Sequence, residues 1–236
     1  MCSSDLATVS PGSSTTLTLG NGNSVFVDSR VNDPNNGDNR IFLTIARGTA
    51  PTLEAGTWSF TLVGTTVVNG RFDAWIQRGQ AIAAFVGAHQ NPDNTISTPG
   101  TAVKMITAGS YITRGAGVPG ISAFSSRGPT RDGRPAPDVA APGQFIMSAA
   151  ASVLGLADAY QLMQGTSMAA PHVTGAVALM LQADPTLTQL QIKDCLRRTA
   201  RADAFTGAVP NTRWGAGKLD VAAAFACATP APVVPV

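Results

Sequence analysis

The sequence predicts an α/β protein in which an antiparallel β-sandwich precedes a core of short strands and helices. Three observations carry this expectation. Over the first 80 or so residues, apolar and polar side chains alternate in short runs separated by turn-forming stretches, the period-two signature of half-buried strands. From Gly165 the small-residue turn Gly-Thr-Ser leads directly into an apolar helical run, Met168 to Leu181. Thr188-x-x-Gln191 then forms a capping box that opens another helix.

Taken in order, Met1–Leu6 (MCSSDL) reads as a translated sequencing-adapter end and is left out of fold reasoning. Residues 7–80 form the β-sandwich module, with strands expected at Thr15–Leu19, Ser24–Asp28, Arg40–Ala46, Thr57–Val63 and Arg71–Ile76. Ile41, Leu43 and Ile45 share one face, as do Trp58, Phe60 and Leu62, and Phe72, Ala74 and Ile76. Asn69-Gly70 between two alternating runs is a hairpin turn signal, and Trp58 and Trp75 are expected at the sandwich core or rim.

Residues 81–227 form the second region. Ala81–Gly87, Lys104–Gly109 and Val139–Met147 contain strand candidates. The central helix spans Gly165–Gln182, is apolar nearly all round and so is expected to be buried; Asp184-Pro185 ends it. The next helix, Thr188–Ala200, places Leu190, Cys195, Leu196 and Thr199 near one side. Leu219–Ala226 makes a short last helix, and residues 228–236 (ATPAPVVPV) read as a Pro-rich linker.

Composition narrows the function classes. The chain has 236 residues, 44% hydrophobic and 13% charged, enough apolar content for a core. A net charge of +2 gives no reason to expect nucleic acid or a membrane surface as partner, and no apolar run is long enough to span a bilayer. Of three cysteines, Cys2 belongs to the leader. Cys195 and Cys227 are compatible with a disulfide or with two free buried thiols, because sequence does not fix their separation. No Cys/His spacing matches a zinc site, so neither metal nor cofactor is expected.

Chemistry concentrates at Gly165–Gly175, GTSMAAPHVTG. Ser167 at a helix start meets unpaired backbone N–H groups and the positive end of the helix dipole, which together can hold a developing oxyanion. The same position suits an ordinary N-cap, and the local physics alone does not separate the two readings.

At these residues the chain resembles the subtilisin-like serine proteases (subtilases). Gly-Thr-Ser, Ala169, Pro171-His172-Val173 and Gly175 match their nucleophile block. Three further blocks in the family's order resemble it: Thr95–Tyr111, Ile121–Gly128 with Pro137–Gly143, and Trp214–Asp220. The resemblance implies a subtilisin-like parallel-sheet core, a serine endopeptidase acting on polypeptides, and an extracellular or cell-envelope location in a bacterium. It makes Ser167 the nucleophile and its backbone N–H an oxyanion donor, with Thr166 as a possible assistant. The alternating region preceding the core resembles the jelly-roll insertion of some bacterial subtilases.

The family's Asp block, His-Gly-Thr-His block and oxyanion Asn block are missing. Only His89 and His172 are present; His172 sits five residues after Ser167 on the same helix, points away from it, and is expected to be structural, while His89 is expected in a solvated loop. Arg127 and Arg131 are assigned no role. Without a general base the hydroxyl is a poor nucleophile, so the chain is expected to be an inactive C-terminal part whose partner is the missing N-terminal part of the same domain. The alternative is a non-catalytic pseudoprotease whose sandwich binds another protein and whose Ser167 is only a cap.

Overall fold

The computed structural model describes residues 8–64, 66–77, 83–88, 90–151 and 160–229. Met1–Leu6, with Cys2, and His89 therefore lie outside the described residues, as does most of the Pro-rich tail. The chain divides into two compact units, one ending at Gly70 and one beginning at Arg71.

The first unit is built on an antiparallel sheet of three strands, β1 (Ser14–Thr18), β2 (Ser24–Arg30) and β3 (Arg40–Ala46), in the order β1-β2-β3. Its register aligns Leu17 with Val25 and Ile45, and Thr15 with Val27 and Leu43. The alternation read from the sequence thus becomes one apolar face, with Val25 buried at its centre. The strand ends are tied by Asn23, which is fully buried. Its amide donates to the carbonyls of Arg47 (3.0 Å) and Thr52 (2.9 Å), and its side-chain oxygen accepts from the Glu54 N–H (2.9 Å). Between β2 and β3, Asp33 accepts from the backbone and side chain of Asn35, and these bonds draw its carboxyl below the usual range.

Two expected strands do not form. Thr57–Val63 and Arg71–Ile76 carry no regular structure, and Phe60, Leu62, Phe72 and Trp75 are all exposed. The hairpin at Asn69-Gly70 is correspondingly absent. The second stretch has other partners: Arg71 donates to the Arg131 carbonyl (3.2 Å), Asp73 pairs with Arg131 (3.3 Å), and Trp75 Nε1 donates to the Asn94 carbonyl (2.7 Å). Side-chain anchors to a loop replace the ladder that alternation alone suggested.

The second unit centres on two parallel strands, β4 (Ala108–Ile112) and β5 (Val139–Gln144). The expected strand Lys104–Gly109 is displaced toward the C-terminus. Residues before it turn instead, held where the Thr107 N–H donates to the buried Asp138 carboxylate (2.8 Å) and Thr107 Oγ1 donates to the Gly100 carbonyl (2.8 Å). Lys193 stands 3.1 Å from the other Asp138 oxygen while donating to the Met105 carbonyl (2.8 Å). The expected strand Val139–Met147 is broken at Phe145, whose φ of 58° ends β5 and starts a ribbon of β6 (Ile146–Ala149) and β7 (Tyr160–Met163). The described part of Ala81–Gly87 forms no strand.

Helix α1 (Thr166–Ala183) packs on this pair, and α2 (Gln189–Arg198) and α3 (Val221–Ala228) complete the core. The expectation that α1 is buried all round is corrected. Only the stripe Ala169, Val173, Ala176 and Met180 is buried, while Leu179 is 44% exposed. That stripe runs i, i+4, i+7, i+11, one helix face against one two-stranded sheet. Small residues let the layers close: Val139, Ala140, Ala141 and Ala169 are all fully buried.

α2 opens with the capping box, Thr188 Oγ1 accepting from Gln191 N–H (3.4 Å) and Gln191 Oε1 from Thr188 N–H (2.8 Å). Its buried residues are Ile192, Cys195 and Leu196; Leu190, expected among them, is 65% exposed because it lies two residues from Ile192, on the far side of the turn. Cys195 and Cys227 are joined in a disulfide that ties α2 to α3. Asp220 caps α3 by accepting from the Ala223 N–H (3.0 Å).

Behind β5 lies a buried lysine. Lys218 Nζ donates to Asp203 (2.6 Å) and sits 5.3–5.5 Å from the ring centroids of Tyr111, Phe205 and Trp214. The bond from Lys218 draws the Asp203 carboxyl below its ordinary range, and burial raises the Tyr111 hydroxyl. On either side of this lysine, the Gly217 carbonyl accepts from Ala140 and the Leu219 N–H donates to Ala140, both at 2.8 Å.

Candidate active site around Ser167

Ser167 is the second residue of α1, and the turn before it decides how it is presented. Gly165 takes φ 150°, ψ 162°, a conformation that side-chain-bearing residues avoid. Its N–H donates to the Gly143 carbonyl at the end of β5 (2.8 Å), and its carbonyl accepts from the Met168 N–H (2.9 Å). The approach is close enough to require a second glycine. A Cβ on Gly143 would stand 2.9 Å from the Gly165 oxygen and collide with Ser110 Oγ. Ser110 is itself fixed, sharing a hydrogen bond with Ser122 Oγ (2.9 Å) and donating its N–H to Ser125 Oγ (3.0 Å).

The helix has no side-chain cap, so the cap reading of Ser167 is not realised. The residue is exposed, and among the described residues neither its Oγ nor its N–H has a hydrogen-bond partner. An unpaired hydroxyl and an unpaired amide at a helix N-terminus form the arrangement that can attack a carbonyl and hold the resulting negative charge. Thr166, half-buried, lines a cavity of about 170 Å³ together with Ile96, Ser97, Pro99, Ala108 and Ser126. A larger hollow of about 390 Å³, at Phe205, Asn211 and Trp214, contains neither Thr166 nor Ser167.

His172 is exposed, and its Nδ1 lies 2.9 Å from the Met168 carbonyl oxygen, where the tautomer protonated on Nδ1 donates to its own helix. Arg127 pairs through its backbone with Thr95, accepting and donating at 2.8 Å. Among the described residues, no group of three or more His, Cys, Asp or Glu side chains is placed to hold a metal ion, and no helix is long and apolar enough to cross a membrane. The sequence marks Pro137–Gly143 as a block but does not disclose the specific task of Gly143. Two glycines flanking an excursion, one in each block, were the available signal.

The chain belongs to the subtilase family, whose model matches residues 22–217. It is 32% identical over 160 residues to the serine protease AprX of Bacillus subtilis, covering 63% of this chain and 35% of AprX. It is 33% identical over 144 residues to pyrolysin of Pyrococcus furiosus, covering 51% of this chain and 10% of pyrolysin. The CspB protease of Clostridium perfringens has a similar fold, with TM-score 0.65 and 22% identity over 93% of this chain and 46% of CspB. The chain thus spans about a third of the length of AprX and a tenth of that of pyrolysin.

Proposed function

We propose that this chain is the nucleophile-bearing part of a serine endopeptidase, with Ser167 attacking the carbonyl carbon of a peptide bond and its own N–H stabilising the oxyanion. The observation that carries the reading is the unpaired hydroxyl and amide of Ser167 on a helix whose turn is built by Gly143 and Gly165. Thr166 borders the cavity beside the nucleophile and is the residue placed to assist there. The general base, the carboxylate that orients it and the second oxyanion donor come from the upstream part of the same catalytic domain. The chain alone is accordingly inactive.

The alternating segment that the sequence bounds at residues 7–80 is read as a jelly-roll-like insertion supporting that domain. An extracellular or envelope location is supported by the Cys195–Cys227 disulfide, which forms readily in oxidising compartments, and by a relative named minor extracellular protease Vpr, from Bacillus subtilis.

The test is peptide hydrolysis by the chain joined to its upstream segment, compared with Ser167→Ala. The expected loss is about 10⁶-fold in kcat, the magnitude found when subtilisin, a member of the same family, loses its nucleophile. Turnover that survives the substitution would remove Ser167 from the mechanism.

A further inference from the structure

The disulfide between α2 and α3 has an unusual neighbour. Arg198 Nη2 lies 3.4 Å from Cys227 Sγ and 3.9 Å from Cys195 Sγ, so one guanidinium faces both sulfurs. It is paired at the surface with Asp194, whose carboxylate is 2.7 Å from Arg198 Nε, both side chains being largely exposed. The two sulfurs differ in access: Cys195 is 5% exposed and belongs to the core, whereas Cys227 is half-buried. We propose that Cys195–Cys227 is an exchangeable, redox-responsive clamp, activated by Arg198, rather than an inert staple.

The chemistry follows from the placement. A thiolate of a dithiol reductant attacks Cys227 Sγ, the accessible sulfur. The Cys195–Cys227 bond breaks, and Cys195 leaves with the electron pair as a thiolate. The second thiolate of the reductant then attacks its own sulfur in the mixed disulfide, releasing Cys227 as a thiolate and leaving the reductant oxidised. Two electrons pass to the protein, and each cysteine thiolate takes a proton from water according to its pKa. Both leaving thiolates develop beside the same cation, and a better-stabilised leaving thiolate departs faster.

Opposing charges are also present. Cys195 lies in the last turn of α2, where the helix dipole disfavours an anion, and Asp194 shares the guanidinium. Of the two arginines in that last turn, Arg197 faces Asp138 (3.9 Å) and Arg198 is the cation that stands at the sulfurs. Opening the bond has a defined structural consequence. Cys195, Ala224 and Ala228 belong to the cluster that holds Ala169, Val173 and Met180 of α1, so release of α3 loosens the packing beneath the helix that carries Ser167.

The experiment is reduction of the folded chain with dithiothreitol or reduced thioredoxin, with free thiols trapped by N-ethylmaleimide and counted by mass. Circular dichroism is followed in parallel. We expect two thiols to appear while the helical signal persists, and a thioredoxin lacking its second active-site cysteine to be captured as a mixed disulfide on Cys227. Arg198→Gln should slow reduction about fivefold, Arg198→Lys should retain most of the rate, and Asp194→Asn, which frees the guanidinium, should accelerate it. Reduction that occurs only in step with global unfolding would overturn the proposal. So would equal rates for the wild type, Arg198→Gln and Asp194→Asn. The measurement requires no peptidase activity, so it stands or falls separately from the assignment of Ser167.

Discussion

The β1–β3 sheet and the β4–β5–α1 core are organised by different physics. In the sheet, alternation places one apolar face, and a fully buried polar residue, Asn23, ties the connections through hydrogen bonds with Arg47, Thr52 and Glu54. In the core, strands and helix approach so closely that side-chain size dominates. Ala140, Ala141 and Ala169 are fully buried, and Gly143 has no room for a Cβ. The first unit tolerates bulky exposed residues such as Phe42 and Ile41 on its sheet, whereas the second excludes even a methyl group at Gly143. Precision at Ser167 thus comes from the absence of side chains, not from a dense polar network around the serine itself.

Substitutions can break that comparison. Met180→Ala removes a wholly inaccessible side chain from the buried face of α1 and should cost about 2–5 kcal/mol, lowering the denaturation midpoint and the hydrogen-exchange protection of α1. Protection of β2 should be unchanged if the units fold on separate cores. Asn23→Ala is the converse, removing the side chain that bonds the Arg47 and Thr52 carbonyls and the Glu54 N–H. It should cost about 1–3 kcal/mol, read as lost protection in β2 and β3 while α1 keeps its own. Equal loss of protection in both units from either variant would show that the two cores are coupled.

Acid should produce the smallest effect and act on both units. Asp33 and Asp203 each have a folded-state pKa below the usual value, Asp33 through hydrogen bonds from Asn35 and Asp203 through the bond from Lys218. Their contribution is therefore present above the ordinary carboxylate pKa near ~3.9 and is lost as pH falls through the lowered folded values. Thermal melts between neutral pH and strong acid should show this decline. Asp203→Asn should flatten the slope for the second unit alone; an unchanged slope would remove the Lys218 pair as its source.

What the sequence disclosed depended on the kind of signal. Local, complete signals succeeded: the Thr188/Gln191 capping box, the stop at Asp184-Pro185 and the three leading strands all appear in the structure. Alternation without a partner failed, as at Thr57–Val63 and Arg71–Ile76, because period two states which side chains share a face but not whether another strand is available. The overall apolar character of α1 misled in the same way, since it gives no measure of how much surface covers the helix. At the candidate site, the block singles out Ser167, but the role of Gly143 required knowing that β5 ends against the turn of α1.

The hydrogen bond from Gly165 to Gly143 has an engineering consequence. It fastens the two feet of the excursion that contains β6 and β7, so the turn before Ser167 is referenced to β5. Lengthening that excursion should add only loop-closure entropy, about 0.6 kcal/mol for each doubling. A recognition peptide grafted within the excursion should therefore leave the bond from Gly165 to Gly143, and with it the turn before Ser167, in place.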